Sequence, residues 1–355
     1  MYCPYILLNN ESFIDDYSST AHYNHNFCMS GKKLVDYKPK NVNINLCDLD
    51  EYSSTELEEK LKRKIAKKFK LNKSNLFFGA GINGLLQNIA SCFIKSPNDN
   101  IVTPFFTFKQ LPYAVSLIGA KMRYAKMAND FSINFENIIA SIDKNTKLIF
   151  ICNPNNPTGI YEQPTKIIEL AKKLDIPIIV SEASMAFSGE KSLLDFDLPD
   201  NLIVLRSFSK EYGLSGIRLG YGIISKKYHE IYSRSTSQYQ YSKLSLYVIY
   251  KIFNDQSVKE NIEKIKNERL YLKHCFEKNN IDVLDSKAAY LMFKRPINND
   301  VIQHLKKAKI SVCAFTSINN TTFLRIAINS RKENDYFIKV IKKIKEQLNE
   351  NFFSD

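Results

Sequence analysis

Glycine and proline are scarce in this sequence, with 11 of each among 355 residues, and no stretch approaches eighteen consecutive apolar residues. This scarcity, together with a hydrophobic content of 44%, excludes a collagen-like, low-complexity or largely disordered chain. The lack of a long apolar run excludes a membrane-spanning helix. The short apolar run at residues 5–8 is followed at once by polar residues, unlike a signal peptide. We therefore expect a soluble protein that is not exported and has no membrane partner.

The sequence also lacks a CxxC pair. Its cysteines are odd in number and irregularly spaced, at positions 3, 28, 47, 92, 152, 275 and 313. In a chain of this length, such cysteines are typical of reduced thiols in a cytoplasmic protein. His22 and His25 are spaced three apart but have no evident third ligand, so we expect no metal site.

Acidic residues are outnumbered, 37 against 50 lysines and arginines, which gives a formal net charge of +13. A basic run over residues 60–70 surrounds an amphipathic helical pattern whose apolar face must be buried. This arrangement favours a solvated helix surface over a nucleic-acid site, and no nucleic-acid-binding signature accompanies it. We expect no nucleic-acid partner.

Short apolar runs alternate with longer amphipathic stretches along much of the chain. The runs cover residues 76–78, 101–103, 148–152, 178–180 and 202–205. Continuous apolar strands separated by helices predict a mostly parallel sheet with helices on both faces. Beyond about residue 235, long helical stretches and two strand-like segments predict a smaller α+β unit. We predict an N-terminal arm, or part of the small domain, at residues 1–45, a large α/β domain at 46–235 and a small domain at 236–355.

Ligands of such sheets bind at the carboxyl ends of the strands. After the run at 202–205, residues 206–221 place Lys210 and Arg218 among hydroxyl side chains in a glycine-punctuated loop. The lysine amine can form a Schiff base, and the hydroxyls and guanidinium suit a phosphate.

Three other strand ends point to the same ligand. Residues 153–159 contain prolines and a glycine that fix a turn and can hold an asparagine amide. Residues 79–82 open a helix whose N–H groups form an anion site, and residues 104–106 offer an aromatic face. Together, these segments specify a flat phosphorylated ring with a polar edge.

The pattern Ser-x-Ser-Lys-x-aromatic-Gly-Leu-Ser-Gly-x-Arg-x-Gly-Tyr at residues 207–221, supported by Asn-Pro-x-x-Pro-Thr-Gly at 153–159, resembles the fold-type-I pyridoxal-phosphate enzymes. Within them, the chain is similar to class I/II aminotransferases of the histidinol-phosphate aminotransferase and threonine-phosphate decarboxylase group, from about residue 45 to the end. The resemblance implies the α/β aspartate-aminotransferase fold, with a large domain of mostly parallel mixed sheet between helices and a smaller α+β domain. It also implies pyridoxal 5'-phosphate as cofactor and a homodimer with its active site at the subunit interface.

The resemblance assigns roles to individual residues. Lys210 forms the Schiff base with the cofactor and later acts as general acid and base. Asn156 bonds the ring hydroxyl oxygen, while Phe106 and the small Ala183 lie on opposite faces of the ring. Arg325 holds the substrate carboxylate or phosphate. The implied contacts to the cofactor phosphate are Ser207, Ser209, Arg218, the backbone of Ala80 and Gly81, and Tyr52 from the other subunit.

The chain departs from its family after the run at 178–180, where Asp-Glu-Ala-Tyr is replaced by Ser181, Glu182, Ala183 and Ser184. In the family, the aspartate keeps the pyridine nitrogen protonated and the tyrosine bonds the ring hydroxyl oxygen. Serine has no charge to do the former, and Glu182 faces the opposite side of the strand. We expect cofactor binding to persist with altered electronics, so that transamination is slow or the reaction depends less on a carbanionic intermediate.

We predict a pyridoxal-phosphate-dependent aminotransferase that moves an amino group between an amino acid and a small oxo compound, phosphorylated or not. One alternative is decarboxylation of a phosphorylated amino acid, since the same group contains both reactions. A second is a degenerate regulatory protein that binds cofactor without efficient turnover, which the changes at Ser181 and Ser184 motivate. The sequence does not identify donor, acceptor or pathway.

Overall fold

The computed structural model describes residues 25–28, 34, 52, 55–108, 110–116, 118–236, 239–317 and 321–354. Most of the predicted arm at residues 1–45, including His22, lies outside these residues. The strands, in chain order, are β1 (His25–Asn26), β2 (Leu76–Gly79), β3 (Asn100–Pro104), β4 (Lys121–Ala125), β5 (Thr146–Cys152), β6 (Ile178–Ser181), β7 (Leu202–Ser207), β8 (Gly220–Ile223), β9 (Tyr290–Met292), β10 (Ile310–Ser311), β11 (Cys313–Thr316) and β12 (Thr322–Ala327).

From β2 to β6, a helix lies between each strand and the next, in the alternating order that the sequence predicts. In chain order the helices are α1 (Thr55–Phe69), α2 (Gly81–Phe93), α3 (Gln110–Ser116), α4 (Phe135–Ala140), α5 (Pro164–Lys173), α6 (Phe208–Glu211), α7 (Lys226–Ser235), α8 (Lys243–Ile252), α9 (Gln256–Glu277), α10 (Asn299–Lys307) and α11 (Arg331–Leu348).

A seven-stranded sheet with the order β2-β8-β7-β6-β5-β3-β4 forms the centre of the larger part. Its strands are parallel except β8, which runs antiparallel to both β2 and β7. The five predicted strands are confirmed. The sequence analysis missed β4, whose exposed Lys121 and Arg123 alternate with more buried residues as expected of an edge strand, and β8, which is short and contains two glycines.

Helices cover both faces of this sheet. On one face, α1 buries Leu61 and Ile65, and Leu246 and Ile249 of α8 belong to the same core. On the other face, α2 buries Leu85, among other residues, against the sheet. The α/β class is therefore confirmed, and the sheet is of the mixed, mostly parallel kind.

The remaining strands form a smaller structure. The order β11-β12-β9 is antiparallel, and β1 pairs with β10 in parallel. Phe276 of α9 and Phe337 of α11 pack in the core of this unit, and the Ser330 and Glu333 side chains form a capping box at the start of α11. The domain boundaries stay predictions.

Cys28 and Cys313 form a disulfide, with their Cα atoms 4.9 Å apart. The expectation that all cysteines are reduced is therefore wrong for this pair. The parallel pairing of β1 with β10 carries the chain after Asn26 alongside the start of β11, and this brings together two residues 285 positions apart.

Within the described residues, no helix is long and apolar enough to cross a membrane.

Candidate active site

The carboxyl edge of the large sheet gathers the segments that the sequence analysis singled out. Ser207, Gly220 and Gly79 are neighbours across three adjacent strands, because β8 pairs with both β7 and β2. The start of α2, just after β2, therefore lies beside α6, just after β7. This arrangement brings Gly81 close to the Lys210 segment although the two are far apart in sequence.

An anion cradle lies at the start of α2. Gly81 has φ +70°, and a Cβ there would lie 2.6 Å from Nη2 of Arg218. Ala80 precedes the helix and provides no side-chain cap, so the first-turn N–H groups can serve an anion. Arg218 donates to the Ser215 carbonyl oxygen at 2.9 Å and lies 3.4 Å from Ser209 Oγ. A backbone without side chain, a guanidinium and a hydroxyl thus fit a phosphate group.

Ser207 caps α6. Its Oγ accepts a hydrogen bond from the Ser209 N–H at 3.1 Å and so fixes the turn that leads into Lys210. The Lys210 side chain is partly buried, and this burial lowers its pKa to about 8, with the positive charges of Arg325 and Arg218 acting in the same direction. A lysine with such a pKa has far more unprotonated amine near neutral pH than an ordinary lysine and can act as a nucleophile.

Arg325 is buried on β12 and faces the same centre. Its Nη1 donates to Asn156 Oδ1 at 2.7 Å, and its Nη2 donates to the Cys28 carbonyl oxygen at 2.7 Å and to Cys313 Sγ at 2.9 Å. Its Nε is buried and has no hydrogen-bond partner among the described residues. An unsatisfied buried N–H on a guanidinium fits an anionic ligand. Because Asn156 Oδ1 accepts from Arg325, its Nδ2 group is the part able to donate to a ligand.

Tyr290 on β9 was given no role of its own by the sequence, in which residues 287–290 resemble a substrate-recognition segment of the family only loosely. Its side chain is buried, its hydroxyl donates to the Asn155 carbonyl oxygen at 2.8 Å, and its ring lies 4.8 Å from the Arg325 guanidinium carbon. Burial raises the Tyr290 pKa well above its usual value, and a hydrogen bond with Ser184 partly offsets this. Tyr290 therefore lies beside one of the residues that departs from the family pattern.

Ser181 ends β6 beside an uncharged thiol. It is opposite Cys152 in the β5–β6 register and is almost fully buried. Burial raises the pKa of the Cys152 thiol to about 12, so the thiol is uncharged at neutral pH. Glu182 is engaged elsewhere, in an ion pair with Arg206 at 3.1 Å and in hydrogen bonds from Ser192 Oγ and the Leu193 N–H. These partners hold the Glu182 carboxylate, and the expectation that it does not replace the missing aspartate stays a prediction.

Three further predicted site residues, Phe106, Ala183 and Tyr52, are described by their packing and exposure. Phe106 is buried among aromatic rings, and Ala183 packs partly against the core on one face of the sheet. Tyr52 is 75% exposed and stacks on Tyr239, with the ring centroids 4.3 Å apart.

In the part of the chain that the structure describes, no group of three His, Cys, Asp or Glu side chains is arranged to hold a metal ion.

Comparison with known proteins gives the family. The sequence profile of the aminotransferases of class I and II matches residues 44–341. The chain belongs to this family. It is 30% identical to a histidinol-phosphate aminotransferase of Caldanaerobacter subterraneus subsp. tengcongensis over 289 residues, which are 81% of this chain and 82% of that protein. It is also 30% identical to a histidinol-phosphate aminotransferase of Pelagibacter ubique over 305 residues, 80% of this chain and 82% of the relative.

Solved structures agree on the fold of this class I/II aminotransferase. A histidinol-phosphate aminotransferase from Sinorhizobium meliloti, in complex with pyridoxal-5'-phosphate, superposes with a TM-score of 0.83 at 18% identity and 94% coverage of both chains. An aspartate aminotransferase from Thermotoga maritima gives a TM-score of 0.82 at 18% identity, covering 95% of this chain and 96% of the other. The aspartate-aminotransferase fold is therefore confirmed, and the chain is a pyridoxal-phosphate-dependent aminotransferase.

Proposed function

We propose that Lys210 binds the cofactor covalently and that the site moves an amino group between an amino acid and a small oxo compound. The observation that carries this proposal is the position of Lys210. It lies close enough to both Arg325 and Arg218 for their positive charges to lower its pKa, in addition to the effect of burial. One guanidinium lies at the anion cradle and the other presents a buried, unpartnered Nε. A lysine between these two guanidinium groups is placed to react with a cofactor whose phosphate binds one of them, and with a substrate whose anionic group binds the other.

Pyridoxal phosphate, when bound, supplies an aldehyde that condenses with amines and a ring that accepts electrons. In our proposal, Ser207, Ser209, Arg218 and the backbone of Ala80 and Gly81 hold its phosphate. Asn156 donates to the ring hydroxyl oxygen, and Phe106 and Ala183 lie on the two faces of the ring. Each of these groups restricts motion of the ring, so that the reacting bond keeps one orientation.

Lys210 has a second role in this proposal. With the cofactor bound, the Lys210 amine would take the proton from the substrate Cα and return a proton during the other half of the cycle. Arg325 holds the substrate carboxylate during this transfer. Overall, the amino group of the donor and the oxo oxygen of the acceptor change places, so that no external oxidant is consumed.

The residues at the end of β6 determine the rate that we expect for proton abstraction. Ser181 and the uncharged Cys152 thiol offer no carboxylate to a ring nitrogen, and Glu182 is paired with Arg206. We therefore propose that the ring nitrogen stays unprotonated and that proton abstraction at Cα is slower than with an aspartate at position 181.

We further propose a homodimer in which Tyr52 reaches the cofactor phosphate of the other subunit. The exposure of Tyr52 and of Tyr239, stacked on it, supports a contact outside its own chain. Cytoplasmic localisation is part of the proposal, although the disulfide between Cys28 and Cys313 removes part of its original support.

Single-turnover experiments test the proposed function. Purified holoenzyme is mixed with single amino acids while the absorbance of the bound cofactor and the released products are followed. Formation of the 2-oxo acid with conversion of the cofactor to its amine form is expected. Release of carbon dioxide with the cofactor aldehyde retained would indicate a decarboxylase instead, and no spectral response to any donor would favour a binding protein.

A further inference from the structure

The disulfide between Cys28 and Cys313 lies directly against the guanidinium group of Arg325. Cys313 is opposite Arg325 in the β11–β12 register, and Cys28 is bonded to it from the segment at residues 25–28. Arg325 Nη2 donates to the Cys28 carbonyl oxygen at 2.7 Å and to Cys313 Sγ at 2.9 Å. Both cysteines therefore contribute an acceptor to the same guanidinium nitrogen.

These two contacts limit how Arg325 can bind an anion. A guanidinium binds a carboxylate bidentately through Nε with Nη2 or through Nη1 with Nη2, so both arrangements need a hydrogen on Nη2. In the disulfide state, Nη2 has two hydrogens and two acceptors. Nη1 donates to Asn156 Oδ1 at 2.7 Å, and the buried Nε has no hydrogen-bond partner among the described residues. A carboxylate at Nε therefore finds no second hydrogen on Nη2 and binds through one bond only.

The segment that carries Cys28 is anchored by Phe27 as well as by the disulfide. The Phe27 side chain is buried in the core of the smaller structure, with its ring centroid 4.7 Å from that of Phe337. Its carbonyl oxygen accepts from the Ala327 N–H at 2.6 Å. Neither contact involves sulfur. Opening of the disulfide should therefore leave residues 25–27 in place and change the position of Cys28.

Reduction must separate the two cysteines, because two thiols cannot approach each other as closely as two bonded sulfur atoms. Both residues are buried, so the surrounding side chains do not allow the sulfurs to move freely. Cys313 is held by the four-residue pairing of β11 with β12, whereas Cys28 follows a strand of two residues. We therefore expect Cys28 to move, and its carbonyl oxygen to leave Arg325 Nη2.

We propose that Cys28 and Cys313 form a reversible thiol–disulfide exchange site that controls how tightly Arg325 binds an anion. The reaction partner is a dithiol. One of its thiolates attacks a sulfur of the disulfide to form a mixed disulfide, and its second thiolate then displaces the protein thiol. The dithiol loses two electrons and two protons and becomes a disulfide, and both cysteines become thiols.

The disulfide state is the weak-binding state in this proposal, and the dithiol state binds the anion bidentately. A reducing compartment favours the thiols, so oxidation by a low-molecular-weight disulfide would lower the affinity for substrate. Since both cysteines are buried, exchange requires a transient opening of the segment and is slower than at an exposed disulfide. The inference rests on the proposed function in taking Arg325 as the site for the substrate anion.

Arginine labelling tests the exchange site without substrate or turnover. Holoenzyme is equilibrated with oxidised or reduced dithiothreitol and freed of it without oxygen. Phenylglyoxal, which condenses with the terminal nitrogens of a guanidinium, is then added, and peptide mass spectrometry follows Arg325. A hydrogen bond to a charged group is equivalent to about tenfold or more, so we expect labelling of Arg325 to accelerate by that factor on reduction. The exposed Arg234 is the internal reference and should react equally in both states. Equal labelling of Arg325 in the two states, including none in either, would overturn the proposal.

Kinetics of cysteine variants tests the effect on the reaction. We expect reduction of the wild type to lower KM for the amino donor about tenfold, and Cys28→Ser to have the low KM under both conditions. Cys275→Ser removes a free cysteine and should keep the wild-type response. Thermal melts check folding, and Cys313→Ser replaces Cys28→Ser if that variant unfolds.

The outcomes separate this proposal from the proposed function. A wild-type KM that does not fall on reduction, or a Cys28→Ser enzyme that still responds to dithiothreitol, would contradict control by the disulfide. Faster labelling of Arg325 on reduction, in an enzyme that converts no amino donor, would support the exchange site and contradict the proposed function.

Discussion

The Tyr290 ring lies 4.8 Å from the guanidinium carbon of Arg325, while its hydroxyl donates to the carbonyl oxygen of Asn155. The residue thus links the small sheet to the turn that carries Asn156. Arg325 itself donates to Asn156 Oδ1. Two independent contacts therefore hold Arg325 against the asparagine turn, and Tyr290 supplies the apolar surface under the guanidinium.

Substitution of Tyr290 should separate these two contacts. A buried cation–π contact contributes about 2 kcal/mol, so we expect Tyr290→Leu to raise KM for the amino acid roughly 30-fold. Tyr290→Phe keeps the ring and loses only the bond to Asn155, so its KM should rise by a smaller factor. Steady-state kinetics of both variants checks this. Equal KM values for Tyr290→Leu and the wild type would show that the ring does not position Arg325.

The pKa of Lys210 gives a pH prediction. Its ammonium is disfavoured by burial and by the charges of Arg325 and Arg218, so capture of cofactor by the apoenzyme should rise with pH and level off above a midpoint near 8. Removal of one nearby positive charge favours the ammonium form, and Arg325→Met should therefore move the midpoint to higher pH. Arg325→Lys keeps a positive charge and is the matched control. Stopped-flow absorbance measures the capture rate. A wild-type midpoint near 10.5, the ordinary lysine value, would contradict this account.

Gly81 offers a test of the phosphate cradle. Gly81→Ala would place a Cβ 2.6 Å from Arg218 Nη2 at a φ of +70°, so we expect cofactor affinity to fall about tenfold or more. Gly216→Ala is the control, because a Cβ there meets nothing within 4 Å. Equilibrium dialysis with pyridoxal phosphate measures both. Similar affinities for the two variants would remove Gly81 from the proposed cradle.

The fold was predictable from the sequence where the information is local. The five apolar runs became β2, β3, β5, β6 and β7, because a strand buried on both faces leaves an uninterrupted apolar segment. The residues after these strands lie at one edge of the sheet, so the segments that carry Lys210 and Asn156 could be placed together from position. The choice of Asn156 and the roles of both residues came from the family resemblance. The glycine at position 81 carried its own signal as the start of a helix.

The contacts around Arg325 were not predictable in the same way. Tyr290, Cys28 and Cys313 reach the site through pairings of short strands that are distant in sequence, and a two-residue strand such as β1 leaves no periodic pattern. Nothing in the spacing of seven cysteines identified Cys28 and Cys313 as partners. The antiparallel β8 was missed for a related reason, since its two glycines weaken the apolar signal.

The disulfide can be checked by peptide mapping. Trapping of free thiols before denaturation, followed by digestion without reductant, should yield a linked pair of peptides that contain Cys28 and Cys313. Reduction should separate them. Recovery of both cysteines as alkylated thiols without reductant would restore the original expectation for this pair.

Position 181 tests the electronic argument. Ser181→Asp offers the ring nitrogen a negative charge, whereas Ser181→Asn has the same shape without it. We expect the first half-reaction to accelerate about tenfold or more in Ser181→Asp, which corresponds to about 1.4 kcal/mol of barrier, and to change little in Ser181→Asn. Nitrogen-15 NMR of labelled cofactor reports protonation directly. An unprotonated nitrogen and an unchanged rate in Ser181→Asp would refute the argument.

The central claim is that Lys210 carries the cofactor, and borohydride reduction followed by peptide mass spectrometry tests it most directly. Reduction fixes the cofactor to the amine that holds it, and proteolysis then reports which lysine is modified. We predict a pyridoxyl group on the peptide that contains Lys210 and no such group in Lys210→Ala. Modification of another lysine, or equal modification of the Lys210→Ala protein, would contradict the account.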